Sequence, residues 1–350
     1  MKRVDNGVTY KEIAPGYKVP RIIRGGWQLA GDHGPVERER AIADMGAFLR
    51  AGLNTVDGAD IYTGVEDMYG DFNAKQKAAH QPTMQVHTKL VPDYGDLATV
   101  DAAQVRRIVT RSLQRLRTDR LDLVQFHWWD YSVPRYVETA VALYGLQKEG
   151  LIAHIGGTNF DAAHTQEMLA AGVPLVSMQT QYSLLDRRPQ GSLAALCEKQ
   201  NMHLLCYGSL AGGFLTEQWL GQPEPAFPMA NRSLVKYKLI IDEFGGWPAF
   251  QTLLQVLKAI AQRHAVSLSS VAVRWVLEQP GVAAAIVGAR YADRLASTLE
   301  VFSFQLDAAD RALLEPVLAA HPGPAGEPYS LERDKTGPHG RIMKYDLNKS

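Results

Sequence analysis

Apolar residues fall along the chain in short runs with little alternation, separated by longer stretches where they recur at helical spacing. The runs begin near Thr55 (TVDGA), Met84 (MQVHTKL), Asp122 (DLVQFH), Ile152 (IAHIGGTNF), Val176 (VSMQTQ), His203 (HLLCYG) and Ala284 (AAIVG), with an earlier one at Val19–Gly25. Rich in Val, Ile and Leu, they predict strands covered on both faces, as in a parallel sheet. Between them, Ala41, Met45, Phe48 and Leu49 share one face of a predicted helix over Glu37–Ala51. Val105, Ile108, Val109, Leu113 and Leu116 mark a second helix. Val137, Val141, Tyr144 and Leu146 mark a third, ending at Gly150 as a helix C-cap would. Strand starts from Thr55 to His203 lie 29, 38, 30, 24 and 27 residues apart, close to the roughly 30 of a βαβ unit. The count reaches eight with the first and last runs, and no G-x-G-x-x-G occurs. Both facts favour an α/β fold of the (β/α)8 TIM barrel type over a doubly wound sheet.

A length of 350 residues alone allows two or three domains, but such barrels run past 250 residues as one. The expected organisation is a single barrel domain over 1–320 and a C-terminal tail or lid over 321–350. Within the barrel, Thr216–Pro248 is Pro/Gly-punctuated and without clear period. It predicts a long loop after strand 7, a length usually functional or disordered. Hydrophobic residues make up 46% and charged residues 21%, ordinary for a globular protein. Lys plus Arg and Asp plus Glu are both 37, so no basic excess argues for nucleic acid or an anionic membrane. Two cysteines, Cys197 and Cys206, make neither a disulfide framework nor a Cys-rich zinc site, and no metal is expected. The N-terminal MKRVDNGVTYKEIAP has no apolar stretch after its basic residues, and no run of about 18 apolar residues exists. A cytoplasmic enzyme acting on a small molecule is the simplest expectation, with a homo-oligomer left open.

Catalytic groups of a barrel sit at the C-terminal ends of its strands. There the sequence places Asp57, with Tyr62 five residues on, then Lys89, then His127 followed by Trp128 and Trp129. Each has an ordinary explanation alone: a turn cap, a packing phenol, a solvated lysine, a core histidine. Three successive apolar strands have no packing reason to end in Asp, Lys and His. The set suits hydride reduction of a carbonyl, which needs a proton donor for the developing alkoxide. A phenol near an ammonium has its pKa lowered, a carboxylate holds that ammonium, and a histidine holds and polarises the substrate oxygen.

At these residues the chain resembles the aldo-keto reductase superfamily. VDGADIYTGVEDMYGDF (Val56–Phe72) is similar to its Asp-x4-Tyr signature, and HTKL and DLVQFH to its lysine and histidine segments. GGTNF, MQTQYSLLDRR, CYGSLAGGFLT and IVGARYADRL match in place and order, so the likeness runs from about Val19 to Leu299. The resemblance implies an NADP(H)-dependent carbonyl reductase, or the reverse reaction on an alcohol or sugar, with Tyr62 as general acid assisted by Lys89, Asp57 and His127. It implies that Thr158, Asn159 and Gln179 hold a carboxamide and that Tyr207 stacks on the nicotinamide. Gly26, Trp27, Asp57, Gly208, Leu210, Gly212 and Gly213 would border the cofactor, and Gly288, Ala289, Arg290 and Arg294 its 2′-phosphate end. Trp27, Tyr62, His127, Trp128 and Trp129 would wall the substrate pocket. Departures are Arg24-Gly25-Gly26-Trp27 at the first strand end, Gly58 after the Asp, Ser209 in place of a proline, and Ser297-Thr298 where Glu-Asn is usual. Lys236 and Lys238 in the long loop are candidates to reach phosphates, and Arg333, His339 and Arg341 in the tail for a lid or subunit contact. A second reading is a nucleotide-binding regulatory subunit with this fold and slow turnover. A third is an unrelated barrel hydrolase using Asp57 and His127.

Overall fold

The computed structural model describes residues 7–31 and 33–348. Residues 1–6, part of the N-terminal stretch considered for a signal, lie outside them. The chain opens on an antiparallel hairpin, β1 (Tyr10–Ala14) and β2 (Tyr17–Pro20), turned by Pro15-Gly16 with Gly16 at φ +74°. Eight parallel strands then close on one another: β3 (Ile22–Gly25), β4 (Thr55–Asp57), β5 (Gln85–Leu90), β6 (Leu121–Phe126), β7 (Ile152–Thr158), β8 (Leu175–Gln181), β9 (His203–Tyr207) and β10 (Val282–Gly288). They run in chain order around the ring, and β10 pairs with both β9 and β3. The expected (β/α)8 barrel is the fold.

Helices α1 (Arg38–Arg50), α2 (Val65–Ala78), α3 (Ala102–Leu116), α4 (Tyr136–Lys148), α5 (Ala162–Ala170) and α6 (Ser192–Lys199) follow the first six barrel strands in turn. The start of α3 is set by a capping box in which Asp101 accepts from the Gln104 amide. α7 (Arg232–Phe244), α8 (Gly246–His264) and α9 (Leu268–Leu277) lie between β9 and β10. α10 (Leu295–Leu299) and α11 (Ala308–Ala320) follow the ring, and the tail adds two single turns, α12 (Ser330–Arg333) and α13 (Pro338–Arg341). No helix among the described residues is long and apolar enough to cross a membrane.

Four expectations are corrected. The Val19–Gly25 run is two strands, because Pro20 cannot donate to a ladder and the chain turns at Arg21. The inner face of α4 is Tyr136, Thr139, Ala140, Leu143 and Leu146, while Val141 is exposed; the apolar residues of that helix are spread too widely to mark one side. Thr216–Pro248 is not loop throughout, since Asn231 caps the Leu234 amide and starts α7. The tail, expected to stay apart from the core, packs into the molecule over its described residues 321–348: Tyr329, Glu332 and His339 are buried.

Hydrophobic burial is concentrated between the barrel and its helices, with a second cluster inside the lower barrel formed by Ile23, Leu123, Leu205, Ala283, Ala284 and Ile286. The hairpin closes that end. Ile13 and Val19 join this inner cluster, and the Tyr17 hydroxyl lies 3.1 Å from His87 Nε2. The upper interior is polar, and the site is built there.

Candidate active site

Parallel pairing of β4 with β5 sets Asp57 opposite His87. Side chains two residues apart on a strand share a face, so Lys89 reaches Asp57 from the next position inward. Lys89 Nζ donates to Asp57 Oδ2 at 2.8 Å and to the Gly58 carbonyl at 2.7 Å. Both side chains are buried. Gln179 Nε2 and Gln125 Nε2 donate to the other carboxylate oxygen, Asp57 Oδ1, at 2.7 and 3.1 Å. Asp57 is therefore bonded at both oxygens. Gln179 is spent on Asp57 and on Gln125 Oε1 (3.0 Å), where the resemblance assigned its amide to a carboxamide. Gln125 was not anticipated; its one signal is a polar residue in an apolar run, two before His127.

The ammonium of Lys89 lies 5.0 Å from the centre of the Tyr62 ring. The phenol is nonetheless pushed above its ordinary value, by burial first and then by Asp57 and Asp60. This reverses the expectation from the ammonium alone: the carboxylate that holds Lys89 also neutralises it, so the phenol keeps its proton. His127 Nδ1 lies 3.2 Å from the Thr158 carbonyl oxygen. A carbonyl only accepts, so that nitrogen carries the proton in the neutral ring and Nε2 presents a lone pair. Nε2 is buried and has no partner among the described residues. Burial, then the charge of Arg333, lower the ring to about 3, so it is uncharged at neutral pH.

Asp57, Tyr62, Lys89 and His127 border one cavity of about 370 Å³. Trp27 and Trp129 stand in its wall, Trp27 with its ring 5.0 Å from that of Tyr62 and Trp129 edge-on to His127 at 4.4 Å. Trp128 does not reach it. It is fully buried, and its Nε1 donates to the Asp130 and Val133 carbonyls. Adjacent residues leave a strand end in opposite directions, so only one of the pair faces inward. The tail contributes Tyr329, Ile342, Met343 and Leu347 to the wall, residues that sequence reading did not single out.

On the other side, Thr158, Asn159, Gln179, Tyr207, Gly208, Leu210, Gly212, Gly213, Gly288 and Arg294 border the same cavity. The Tyr207 hydroxyl donates to Asn159 Oδ1 at 2.8 Å. A side chain at Gly208 or Gly212 would run into Tyr237 at 2.4 or 2.6 Å, so α7 packs directly on this glycine turn. Ala289 and Arg290 face an adjoining cavity with Ser297 and Thr298. Arg24 organises that loop: its buried guanidinium donates to the Ala289 and Arg290 carbonyls at 3.0 and 2.6 Å. Gly26 is behind the wall, where any side chain would strike Tyr69 Oη at 2.3 Å. Lys236 borders the main cavity, but Lys238 turns away to Glu224 and Asp242. His339 and Arg341 do not border it, and His339 lies 3.5 Å from Glu243.

The family model described as "Aldo/keto reductase family" matches residues 21–319. The chain is similar to the Aldo-keto reductase YhdN of Bacillus subtilis, 29% identical over 88% of this chain and 93% of that protein. It is 25% identical to the NADH-specific methylglyoxal reductase of Escherichia coli, over 91% of this chain and 99% of that one. Among solved structures, the glycerol dehydrogenase AKR11B4 from Gluconobacter oxydans superposes with a TM-score of 0.76 at 25% identity, covering 92% of this chain and 98% of its own.

Proposed function

The chain belongs to the Aldo/keto reductase family, a family of nicotinamide-dependent oxidoreductases, and from that footing we propose that it reduces an aldehyde or ketone to an alcohol with NADP(H), or runs the reverse reaction. The observation that carries the proposal is the buried Lys89–Asp57 pair beside Tyr62 and His127 at one cavity. A nicotinamide held at the mouth by the glycine turn, Tyr207 and Asn159 would supply the hydride. As hydride adds to the carbonyl carbon, the C=O π pair moves onto oxygen, and the Tyr62 phenol gives that oxygen its proton. A phenol held above its ordinary pKa is protonated at neutral pH and gives its proton only to a strongly basic oxygen such as an alkoxide. Asp57, bonded at both oxygens, keeps Lys89 in place beneath the ring. His127, neutral with its proton on Nδ1, accepts at Nε2 the hydroxyl of the alcohol and so aligns its oxygen with Tyr62.

The glycine turn Gly208–Gly213, Tyr207 with Asn159, and the edge around Gly288 fit a dinucleotide across the mouth. NADP(H) is favoured over NAD(H) by Arg294, exposed at the junction of both cavities, with no carboxylate partner among the described residues. A guanidinium so placed suits a 2′-phosphate. The substrate end is walled by Trp27, Trp129, Ile61, Val91, Tyr329 and Met343, which suits an apolar or planar carbonyl compound. The convergence of all four catalytic groups speaks against a purely regulatory nucleotide sensor.

Replacing Tyr62→Phe removes the proton and keeps the ring. Turnover of an aldehyde panel, followed by NADPH absorbance, is expected to fall by about 10²–10⁴-fold, while NADPH still quenches tryptophan fluorescence with unchanged affinity. Near wild-type turnover in this variant would refute the assignment of the acid. Tighter binding of NADH than NADPH in the same titration would refute the cofactor preference.

A further inference from the structure

The tail turn α12 carries two adjacent charged residues with opposite roles. Glu332 is fully partnered: it lies 3.3 Å from Arg188 and 3.5 Å from Lys236. Arg333 is not. Its Nη2 donates to the Trp128 carbonyl at 3.0 Å, but its Nε and Nη1 are buried without a partner, and no carboxylate lies within salt-bridge distance among the described residues. Its guanidinium sits over the Tyr131 ring at 4.0 Å and 5.2 Å from the centre of Tyr329.

An arginine held this way is costly, because two buried donors have lost water and gained nothing. A protein retains such a group where the charge itself has a use. The residue it grips by the carbonyl, Trp128, directly follows His127. Tyr329, on its other side, meets the His127 ring edge-on at 5.5 Å. Arg333 does not border the cavity, so it meets no substrate; the Tyr329 ring, which stands in the wall, does.

We propose that Arg333 is a positioning residue for His127: by gripping the Trp128 carbonyl and backing Tyr329, it fixes the imidazole with Nδ1 toward Thr158. The other groups around His127 do not make Arg333 redundant. Thr158 on β7 offers a carbonyl, Trp129 an apolar edge, and Tyr62 a protonated phenol. Lys89 on β5 is neutralised by Asp57, and Lys236 on α7 by Glu332. Burial already lowers His127, and the charge of Arg333 acts in the same direction ahead of those of Lys89 and Lys236. The 321–350 tail is then more than a cover: without it the catalytic histidine is incompletely held.

The inference rests on the reductase reading for its effect on turnover, and the test separates the two. In the full-length protein with ¹⁵N-histidine, the His127 ring nitrogens are assigned by their loss in His127→Asn, then followed against pH. The wild type is expected to show one neutral species protonated at Nδ1 across the pH range of the folded protein. Arg333→Met is expected to show a mixture of tautomers and an upward shift in titration of about one pH unit, with kcat down about tenfold and the KM for NADPH unchanged. Arg333→Lys, which keeps the charge but not the planar fork, should restore the titration and leave the mixture. A single Nδ1 tautomer and an unmoved titration in Arg333→Met would overturn the proposal. If that variant does not fold, wild-type tautomer ratios in Arg333→Lys overturn it equally. Wild-type protein inactive on every carbonyl, with the expected spectra, would sink the reductase reading and leave this one standing.

Discussion

Asp60 is where the physics of single residues is sharpest, because its carboxyl is buried and only half partnered. Oδ2 accepts from the Val91 amide at 3.3 Å and lies 3.7 Å from Arg111, while Oδ1 has no hydrogen-bond partner among the described residues. Burial, with the charge of Glu66 added, raises it to about 8. An acid whose folded pKa exceeds its unfolded value of about 3.9 destabilises the fold as pH rises through that window. The cost is absent below about pH 4 and complete above about pH 8. Asp60→Asn is isosteric and cannot ionise, so it should raise the unfolding temperature by a few degrees at pH 9, on the order of 2 kcal/mol, and by nothing at pH 4. Thermal unfolding at the two pH values decides this; an effect equal at both would rule the mechanism out. Asp57, Lys89 and His127 were legible in the sequence as polar interruptions at the ends of apolar runs, and Tyr62 through its place five residues after Asp57. Trp128 was not, because a sequence does not say which of two adjacent tryptophans points inward. The bonding of Gln179 to Asp57 was equally hidden, since an amide four strands further along the chain meets the carboxylate only once the ring closes.

At the scale of elements, α12 is a single turn that no periodicity could reveal, yet it ties three parts of the barrel mouth together. Asp186 and Glu332 flank Arg188, and Glu332 also holds Lys236 of α7, all with nearly inaccessible side chains except Lys236. The flanking cations hold Glu332 at about 2. Its folded value lies below the unfolded one of about 4.3, so its stabilisation is present above that value and lost as pH falls toward 2. Glu332→Gln leaves Lys236 without a carboxylate. Breaking a buried pair on one side costs about 3–5 kcal/mol, so the variant should unfold several degrees earlier at pH 7 and converge with the wild type near pH 2. A difference that persists unchanged down to pH 2 would mean the carboxylate is not the source. The composition of the tail, rich in Gly, Pro and charge, suggested a tail or lid and not a core element. Glu332 is instead paired across elements distant in sequence, with Arg188 and Lys236, and that pairing is invisible one segment at a time. α7 was missed for a related reason: its flanks are full of proline and glycine, and these outweighed a helix started by one asparagine.

For the molecule as a whole, the barrel was the most legible feature, since strand covering and spacing both follow from a ring wrapped in helices. What closes its lower end was not legible, because Val19 and Pro20 read as the start of the first ring strand. The hairpin touches β8 and β10 and delivers Ile13 and Val19 into the inner cluster. Both are essentially inaccessible, and the active site is at the opposite end of the strands. The two ends should therefore separate in experiment. Ile13→Ala deletes buried methylene volume under the ring and should cost about 2–5 kcal/mol. Tyr17→Phe strips the one hydrogen bond from His87 Nε2, a ring already lowered to about 3 by burial and by Lys89 and His154, and should cost about 1–3 kcal/mol. Neither should change kcat or KM at temperatures where the variant is folded, because Asp57, Lys89 and Tyr62 keep their partners. Denaturant unfolding and steady-state kinetics on the same samples give both readings. A drop in kcat from Tyr17→Phe without loss of stability would show that the polar interior transmits from floor to mouth, two residues along β5 from His87 to Lys89, and that the hairpin is part of the site.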